Sequence, residues 1–176
     1  MRGRLLLGVV VLMAVAVGVY WFAIREGTAE PRVFVPRLAA TIGEGSDAVG
    51  VTGSGAVVRW LPLPEDSVLP RLPLDEPPEG GRLRGPALEQ ARVLGAAPDA
   101  LRPYVAASSY GESGVEVELT TGIELRFGDA TQAARKWRAA AAVLSDPSVT
   151  ALDYVDLNAP SHPSFGGSGH ELPPAP

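Results

Sequence analysis

The sequence predicts an α+β protein in which an N-terminal transmembrane helix is followed by a mostly antiparallel sheet with two helices packed on it. Residues 5–24 contain no charge and no proline. Apolar and charged residues alternate at 115–119 and again at 123–127, which is typical of strands that bury one face. Between residues 130 and 144 apolar residues recur every three or four positions, which predicts an amphipathic helix.

Residues 5–24 predict a single membrane span, because a helix of that length is about 30 Å long and matches the bilayer core. Arg2 and Arg4 precede the run, so the positive-inside rule places the N-terminus in the cytoplasm and the C-terminal domain outside the inner (plasma) membrane. A cleaved signal peptide is the alternative, since Gly27 and Ala29 have a cleavage-like spacing. The residues predicted to anchor the chain include Leu5, Val15, Trp21 and Ile24.

The predicted exterior is acidic and free of cysteine. All 20 acidic residues follow Ile24 together with 13 of the 15 basic ones, which gives a formal charge of −7. A nucleic-acid partner is therefore not expected, and the basic run at 134–138 is interpreted as the solvated face of a helix. Disulfides and thiolate metal sites are excluded, so an apolar core must hold the exterior fold.

The composition changes along the exterior and suggests its organisation. A Gly-rich turn between valines at 48–60 predicts a hairpin. Seven prolines at 61–86 exclude a helix or central strand there, although several leucines favour an ordered connection over a solvated linker. Pro86 and Gly95 bound a short helix. The predicted parts are a cytoplasmic tail (1–4), the transmembrane helix (5–24), a juxtamembrane segment (25–60), a β domain (61–160) and a flexible tail (161–176).

Parity fixes the register of the strands at 115–127. A three-residue loop ending at Gly122 places Val117 opposite Leu125, whereas a two-residue loop would place apolar residues opposite charged ones. Gly122 then takes the left-handed bulge position. An upstream strand at 104–110 would complete a three-stranded meander.

The long helix is predicted at 129–144. Asp129 is expected to cap it, with Gln132 reaching back in a capping box. Trp137 belongs to the apolar stripe that packs on the sheet, while Lys136 and the neighbouring arginines are expected to face water.

The sequence shows no constellation of catalytic residues. His162 and His170 lie in the Pro/Gly-rich tail without a carboxylate motif, and Asp153 and Asp156 are interpreted as the solvated edge of a strand. Nucleophile-elbow, P-loop and zinc-protease motifs are absent. We therefore expect no enzymatic activity, no metal, no cofactor and no small-molecule substrate.

The exterior domain resembles the FtsQ family of cell-division proteins, called DivIB in some bacteria. The resemblance covers roughly residues 60–160 and rests on the order of five segments: VLPRL, PALEQARVL, a glutamate-rich hairpin ending in LRFGD, ARKW and YVDL. It implies a non-enzymatic scaffold of the divisome, anchored in the inner membrane at the division septum. Such a scaffold binds FtsB-like and FtsL-like proteins and helps to control septal peptidoglycan synthesis.

One departure from the family concerns its POTRA domain, which usually lies between the membrane and the β domain. Only 35 residues separate Ile24 from Trp60, too few for the helices of that fold. The hairpin at 48–60 is interpreted as its remnant, and recruitment to the division site, which the family assigns to POTRA, is not carried over.

The strand at 151–157 is predicted to be the last strand and the partner-binding edge, because an edge strand exposes backbone groups that a partner strand pairs with. Val155 and Leu157 would face the core, with Tyr154 and Asp156 on the opposite face. The resemblance implies contacts extending to Phe165, while two prolines stop backbone pairing near Asn158. The predicted partner-binding residues are Tyr154, Val155, Asp156, Leu157, Asn158 and Phe165.

Two alternatives stay open. In the first, the strand at 151–157 only completes the sheet, and the Pro-rich segment at 61–86 covers its edge. In the other, the chain is a secreted or anchored envelope protein with a different binding or enzymatic function.

Overall fold

The computed structural model describes residues 36–63 and 68–174 of the chain. The chain divides into two units, Met1–Val35 and Pro36–Pro176, and the description below concerns the second. The transmembrane helix predicted at 5–24, with its anchor residues, lies outside the described residues. Among the helices that the structure describes, none is both long enough and apolar enough to cross a membrane.

The second unit is an α+β fold with a largely antiparallel sheet and two helices, as predicted. Two short 3-10 turns, Gly45–Asp47 and Arg102–Tyr104, lie between the larger elements. The strands are β1 (Leu38–Ile42), β2 (Val49–Thr52), β3 (Val57–Val58), β4 (Val105–Gly111), β5 (Gly114–Leu119), β6 (Glu124–Gly128), β7 (Ala151–Asp156) and β8 (Ser164–Glu171), and the helices are α1 (Gly85–Gly95) and α2 (Ala133–Leu144).

The strands form two groups that the Pro-rich segment joins. One group has the order β1-β2-β3 and the other the order β4-β5-β6-β7-β8, in which β6 and β7 are the parallel pair that α2 connects. Arg71 forms parallel bridges with Thr41 of β1 and with Ala107 of β4. Leu72, beside it, is fully buried. The described part of the Pro-rich segment is therefore ordered, and its Arg71 lies between the two groups of strands.

The compact unit begins at Pro36, not at the boundary of residue 61 that the sequence suggested. Buried residues of β1 and β2 belong to the same core cluster as those of β5 and β6. Helix α1 explains this packing, because a Cβ on Gly95 would lie 2.5 Å from the Cα of Gly53 in the β2–β3 turn. The helix and the hairpin thus approach each other at two glycines, neither of which has a side chain.

The β5–β6 hairpin has the predicted register. Val117 lies opposite Leu125, and the N–H of Leu119 donates to the carbonyl of Ile123 at 2.9 Å. Gly122 has a φ of +90°, which confirms the left-handed loop position. Strand β4 pairs with β5 and completes the predicted meander.

Helix α2 begins at Ala133, so the predicted capping box is wrong. The carboxylate of Asp129 instead accepts bonds from the N–H (3.1 Å) and the hydroxyl (2.5 Å) of Thr131, which closes a turn before the helix. Gln132 precedes the helix with a φ of 54° and makes no side-chain cap. The N–H of Ala130 donates to Glu89 of α1 at 2.8 Å, so a neighbouring helix supplies an acceptor at this turn.

Lys136 is buried, at 3% exposure, and does not face water as predicted. Its Nζ donates to the carbonyl of Phe127 at 2.7 Å, to the carbonyl of Asp129 at 3.0 Å and to the Asp129 carboxylate at 2.8 Å. A lysine ammonium has three donors, and here each has an acceptor, which offsets the cost of removing the charge from water. Lys136 therefore fastens α2 to the end of β6.

Trp137 is buried against the meander, as predicted. Its exposure is 1%, and its ring centroid lies 4.9 Å from that of Phe127 with a tilt of 52°. The indole N–H donates to the carbonyl of Val93 in α1 at 2.7 Å. One side chain thus connects α2 to the sheet and to the other helix.

Candidate partner-binding edge

Strand β7 is an internal strand. It lies between β6, to which it is parallel, and β8, to which it is antiparallel. Val155 and Leu157 are fully buried, which confirms the predicted orientation. The prediction that β7 forms the edge of the sheet is wrong, because the chain after Pro163 returns alongside it as β8. The Pro-rich segment does not cover β7 in the described residues, since Arg71 pairs with β1 and β4.

The chain reverses between β7 and β8 at the prolines that were expected to end pairing. The N–H of His162 donates to the carbonyl of Ala159 at 2.9 Å and closes a turn around Pro160. Ser164 then lies opposite Asp156. A proline before a strand costs no ladder bond, so the two prolines shape the turn and leave the pairing intact.

The described residues of the predicted flexible tail at 161–176 are held to the domain. Residues 164–171 pair with β7, and Leu172 packs against the core. The hydroxyl of Tyr104 donates to the carbonyl of Pro174 at 3.1 Å. The prediction of a flexible tail is therefore wrong for this part of the chain, because residues 164–171 form a strand that the sequence pattern did not show.

The two terminal strands of the sheet differ in their outer edges. At β3, the N–H of Val57 donates to the carbonyl of Gly81 at 2.9 Å, and Ala56 bridges Arg82, so the chain at 81–83 covers that edge. No residue within 36–63 or 68–174 pairs with the outer side of β8. Strand β8 is the open edge of the described sheet.

A bulge divides β8 into two short pieces. Residues 167–169 lie opposite Asp153 alone, because the register shifts there. The Asp153 carboxylate accepts the N–H of Gly169 at 2.7 Å, and a Cβ on Gly167 would collide with the same carboxylate. Bulges of this kind interrupt an edge and limit unwanted pairing. The longer regular piece consists of residues 164–166.

Tyr154 reaches toward this piece on the open face of the sheet, the face away from the helices. The Arg126 guanidinium lies 4.4 Å from its ring centroid, a favourable cation–π distance. Arg126 Nε also donates to Glu124 at 2.6 Å, and this hydrogen bond raises the pKa of Arg126. On the other side, a Cβ on Gly166 would lie 3.3 Å from the Tyr154 hydroxyl. Since Gly166 has no side chain, nothing from β8 separates Tyr154 from the edge.

Phe165 brings apolar surface to the edge on the helix side of the sheet. It lies opposite Val155, and opposite residues of an antiparallel pair point to the same face. Val155 is fully buried, whereas Phe165 is 46% exposed. The apolar layer therefore continues to the open edge and ends there uncovered.

The six predicted binding residues have three different surroundings. Val155 and Leu157 belong to the core. The Asp156 carboxylate accepts the N–H (2.9 Å) and the side-chain amide (3.0 Å) of Asn158, so these two residues close the end of β7. Tyr154 and Phe165 are the two that the structure brings to the edge. Sequence reasoning missed Ser164 and Gly166, because a strand of serine and glycine lacks the apolar alternation that identifies strands.

A polar cavity of about 320 Å³ lies near the same end of β7, lined among others by Asp129, Lys136 and Asn158. The hydrogen bond from Lys136 lowers the pKa of Asp129 to about 2. The Asp129 carboxylate is thus engaged with the Lys136 ammonium at 2.8 Å. In the described ranges, no three His, Asp or Glu side chains gather closely enough to hold a metal ion.

Comparison with protein-family models and with curated proteins finds no match to this chain. Its function is therefore argued from the sequence and from the chemistry of the open edge.

Proposed function

We propose that the chain is a membrane-anchored, non-enzymatic scaffold of the bacterial division machinery, similar to FtsQ. Residues 5–24 span the inner membrane once, with the N-terminus in the cytoplasm, and the domain from Pro36 onward works outside it at the septum. There it docks FtsB-like and FtsL-like proteins and so helps to control septal peptidoglycan synthesis. The observation that carries the proposal is the open edge of β8 with the half-exposed Phe165 beside it.

The segments behind the FtsQ resemblance occupy connected elements, which supports the proposal. LRFGD contributes the end of β6, ARKW lies in α2 and YVDL contributes to β7. Together they form the β6–α2–β7 crossover on which β8 pairs. The resemblance implies a partner site near YVDL in β7, and we place this site on the neighbouring strand β8. Tyr154 of β7 reaches the edge over Gly166.

Strand addition fits this edge physically. A partner segment in extended form would satisfy the outward N–H and C=O groups of residues 164–166, and its side chains would meet Phe165 on one face and Tyr154 on the other. Aromatic residues at the centre of such contacts usually contribute much of the binding energy. The bulge at 167–169 confines such pairing to residues 164–166, whereas the chain at 81–83 covers the edge at β3.

The test compares two exposed aromatic residues. The full chain in nanodiscs is titrated with the extracytoplasmic parts of the FtsB-like and FtsL-like proteins of the same organism. Phe165→Ala is expected to weaken binding at least about tenfold, which corresponds to about 1.4 kcal/mol. Trp60→Ala is the matched control, because Trp60 is 64% exposed and lies outside the β7–β8 edge. Binding that is absent, or equally sensitive to both substitutions, would contradict the proposal.

A proline in β7 is unsuitable for this test. Val155 and Asp156 pair with β6 on one side and β8 on the other, so a proline at either would break the sheet itself. Lost binding would then report unfolding and not the loss of a docking edge.

A further inference from the structure

The end of the chain that forms the edge contains acidic residues but no lysine or arginine. After Arg138 the sequence contains no lysine or arginine, and β7 and β8 lie entirely within this part. Its acidic residues are Asp146, Asp153, Asp156 and Glu171. At neutral pH the edge therefore carries negative charge without a lysine or arginine of its own to compensate it.

The open face next to the edge extends this negative surface. Glu116 and Glu118 of β5 and Glu124 of β6 alternate with buried residues and so lie on the face away from the core. Arg126 is the base on these two strands; it pairs with Glu124 at 2.6 Å, stacks on Tyr154 and lies opposite Asp156 in the register. One positive charge therefore stands against those of Glu116, Glu118, Glu124 and Asp156, and the face stays negative. Charges of one sign on a continuous surface add to a field that attracts opposite charge.

The open face of β8 leaves a path to this surface. Ser164 and Gly166 point to the same face as Asp156 and Tyr154, since they are their register partners. A strand added outside β8 would lie about 4.8 Å away from it. A lysine or arginine on that strand would extend over the small Ser164 and the bare Gly166, with its apolar stem along the sheet and its charge near Asp156.

We infer that the segment docking on β8 is a short basic strand. Its apolar residue packs on Phe165, and the lysine or arginine residues on either side of it extend over Ser164 and Gly166 toward Asp156 and the glutamates beyond it. The inference rests on the proposed function, because it names the chemistry of the partner segment at the same edge. A second copy of β8 is the wrong occupant, since this strand has no lysine or arginine to meet the negative surface. The bulge at 167–169 keeps the paired stretch short.

The test uses three labelled peptides of about seven residues, a usual strand length. They share alternating valines and differ only in the residues between, which are lysine, glutamine or glutamate. Binding to the full chain in nanodiscs of zwitterionic phosphatidylcholine is followed by fluorescence anisotropy at low and high salt. The lysine peptide is expected to bind at least about tenfold tighter than the glutamate peptide, with a ratio that shrinks at high salt.

Two variants with the same change in net charge locate the effect. Ser164→Lys places a cation on the path to Asp156 and is expected to abolish or invert the preference. Ser46→Lys adds the same charge in the β1–β2 turn, at the other end of the sheet, and is expected to leave the preference unchanged. Equal effects of both variants would mean unspecific attraction and would overturn the inference.

The remaining outcomes separate the inference from the proposed function. Equal binding of all three peptides that is lost in Phe165→Ala would overturn the basic strand and leave β8 as the docking edge. If no peptide binds while the FtsB-like protein binds in a manner that depends on Phe165, the inference fails alone. If neither the peptides nor the FtsB-like and FtsL-like proteins bind, both fail together.

Discussion

Replacing Trp137 with alanine tests the packing that joins both helices to the sheet. The side chain is 1% exposed, packs on Phe127 and donates to Val93 at 2.7 Å. Alanine removes these contacts together and leaves a cavity, at a cost of about 3–5 kcal/mol. A domain of this size has a total stability of about 5–15 kcal/mol. The variant is therefore expected to lose more than about 10 °C of its thermal midpoint.

Two further substitutions separate the causes of that loss. Trp137→Phe keeps an aromatic ring but removes the N–H donor. The Val93 carbonyl still accepts the N–H of Ala96 at 3.2 Å, so it is not left unpaired, and the expected cost is only about 1–2 kcal/mol. Trp60→Ala is the control, since an exposed side chain away from special features changes stability by less than about 0.5 kcal/mol.

The assay is urea denaturation of residues 36–176, followed by circular dichroism, with the free energy of unfolding compared at equal m-values. The expected order of stability is wild type and Trp60→Ala, then Trp137→Phe, then Trp137→Ala. Equal stability of Trp137→Ala and Trp60→Ala would refute the assignment of Trp137 to the core.

Lys136→Met keeps an unbranched side chain, one atom shorter, but removes the donor from two carbonyls and a carboxylate. The free energy of unfolding in urea is therefore expected to fall by about 2–4 kcal/mol. The hydrogen bonds from Lys136 and Thr131 lower the pKa of Asp129 from 3.8 to about 2, so their contribution to stability is present above pH 3.8 and is lost as the pH falls through 2. An acid titration of Lys136→Met should show a smaller loss, because only the bonds from Thr131 remain. Gly128→Ala places a Cβ against the side-chain oxygen of Asn158 at a φ of +65°, and we expect it to cost more than about 1 kcal/mol; unchanged stability would contradict the close approach there. A reporter that is active only outside the cytoplasm should work when fused after Pro176; activity only in the cytoplasm would overturn the orientation, and release of protein lacking residues 1–29 would overturn the anchor.

Local patterns predicted the meander well. The alternation at 115–127 has one register that buries a complete face, so parity alone placed Val117 opposite Leu125. The stripe containing Trp137 was predicted equally well, because a large aromatic residue in the apolar stripe of a helix is usually buried in the core. These features depend on residues close in sequence.

The start of α2 and the burial of Lys136 depend on groups that are distant or ambiguous in sequence. Asp129 is suited both to a helix cap and to a turn with Thr131, and the acceptor for Ala130 comes from Glu89 on α1. Lysine usually faces water, and Lys136 is buried because β6 and the turn after it present two carbonyls and a carboxylate to its Nζ.

The open edge of the sheet was misplaced for a similar reason. Strand β8 contains serine and three glycines and has no apolar alternation, so its own sequence does not identify it. It is defined by pairing with β7 and by the Asp153 carboxylate, which fills the space that Gly167 and Gly169 leave. Phe165 was named only because the resemblance implied contacts that extend to it.

The open edge of β8 is tested most directly by amide hydrogen exchange on the full chain in nanodiscs, with and without the FtsB-like protein. Docking by strand addition predicts that the partner slows exchange at residues 164–166, while exchange at Val57–Val58, whose outer edge is already covered, stays the same. Slowed exchange at Val57–Val58 or elsewhere, with no change at 164–166, would contradict docking on β8.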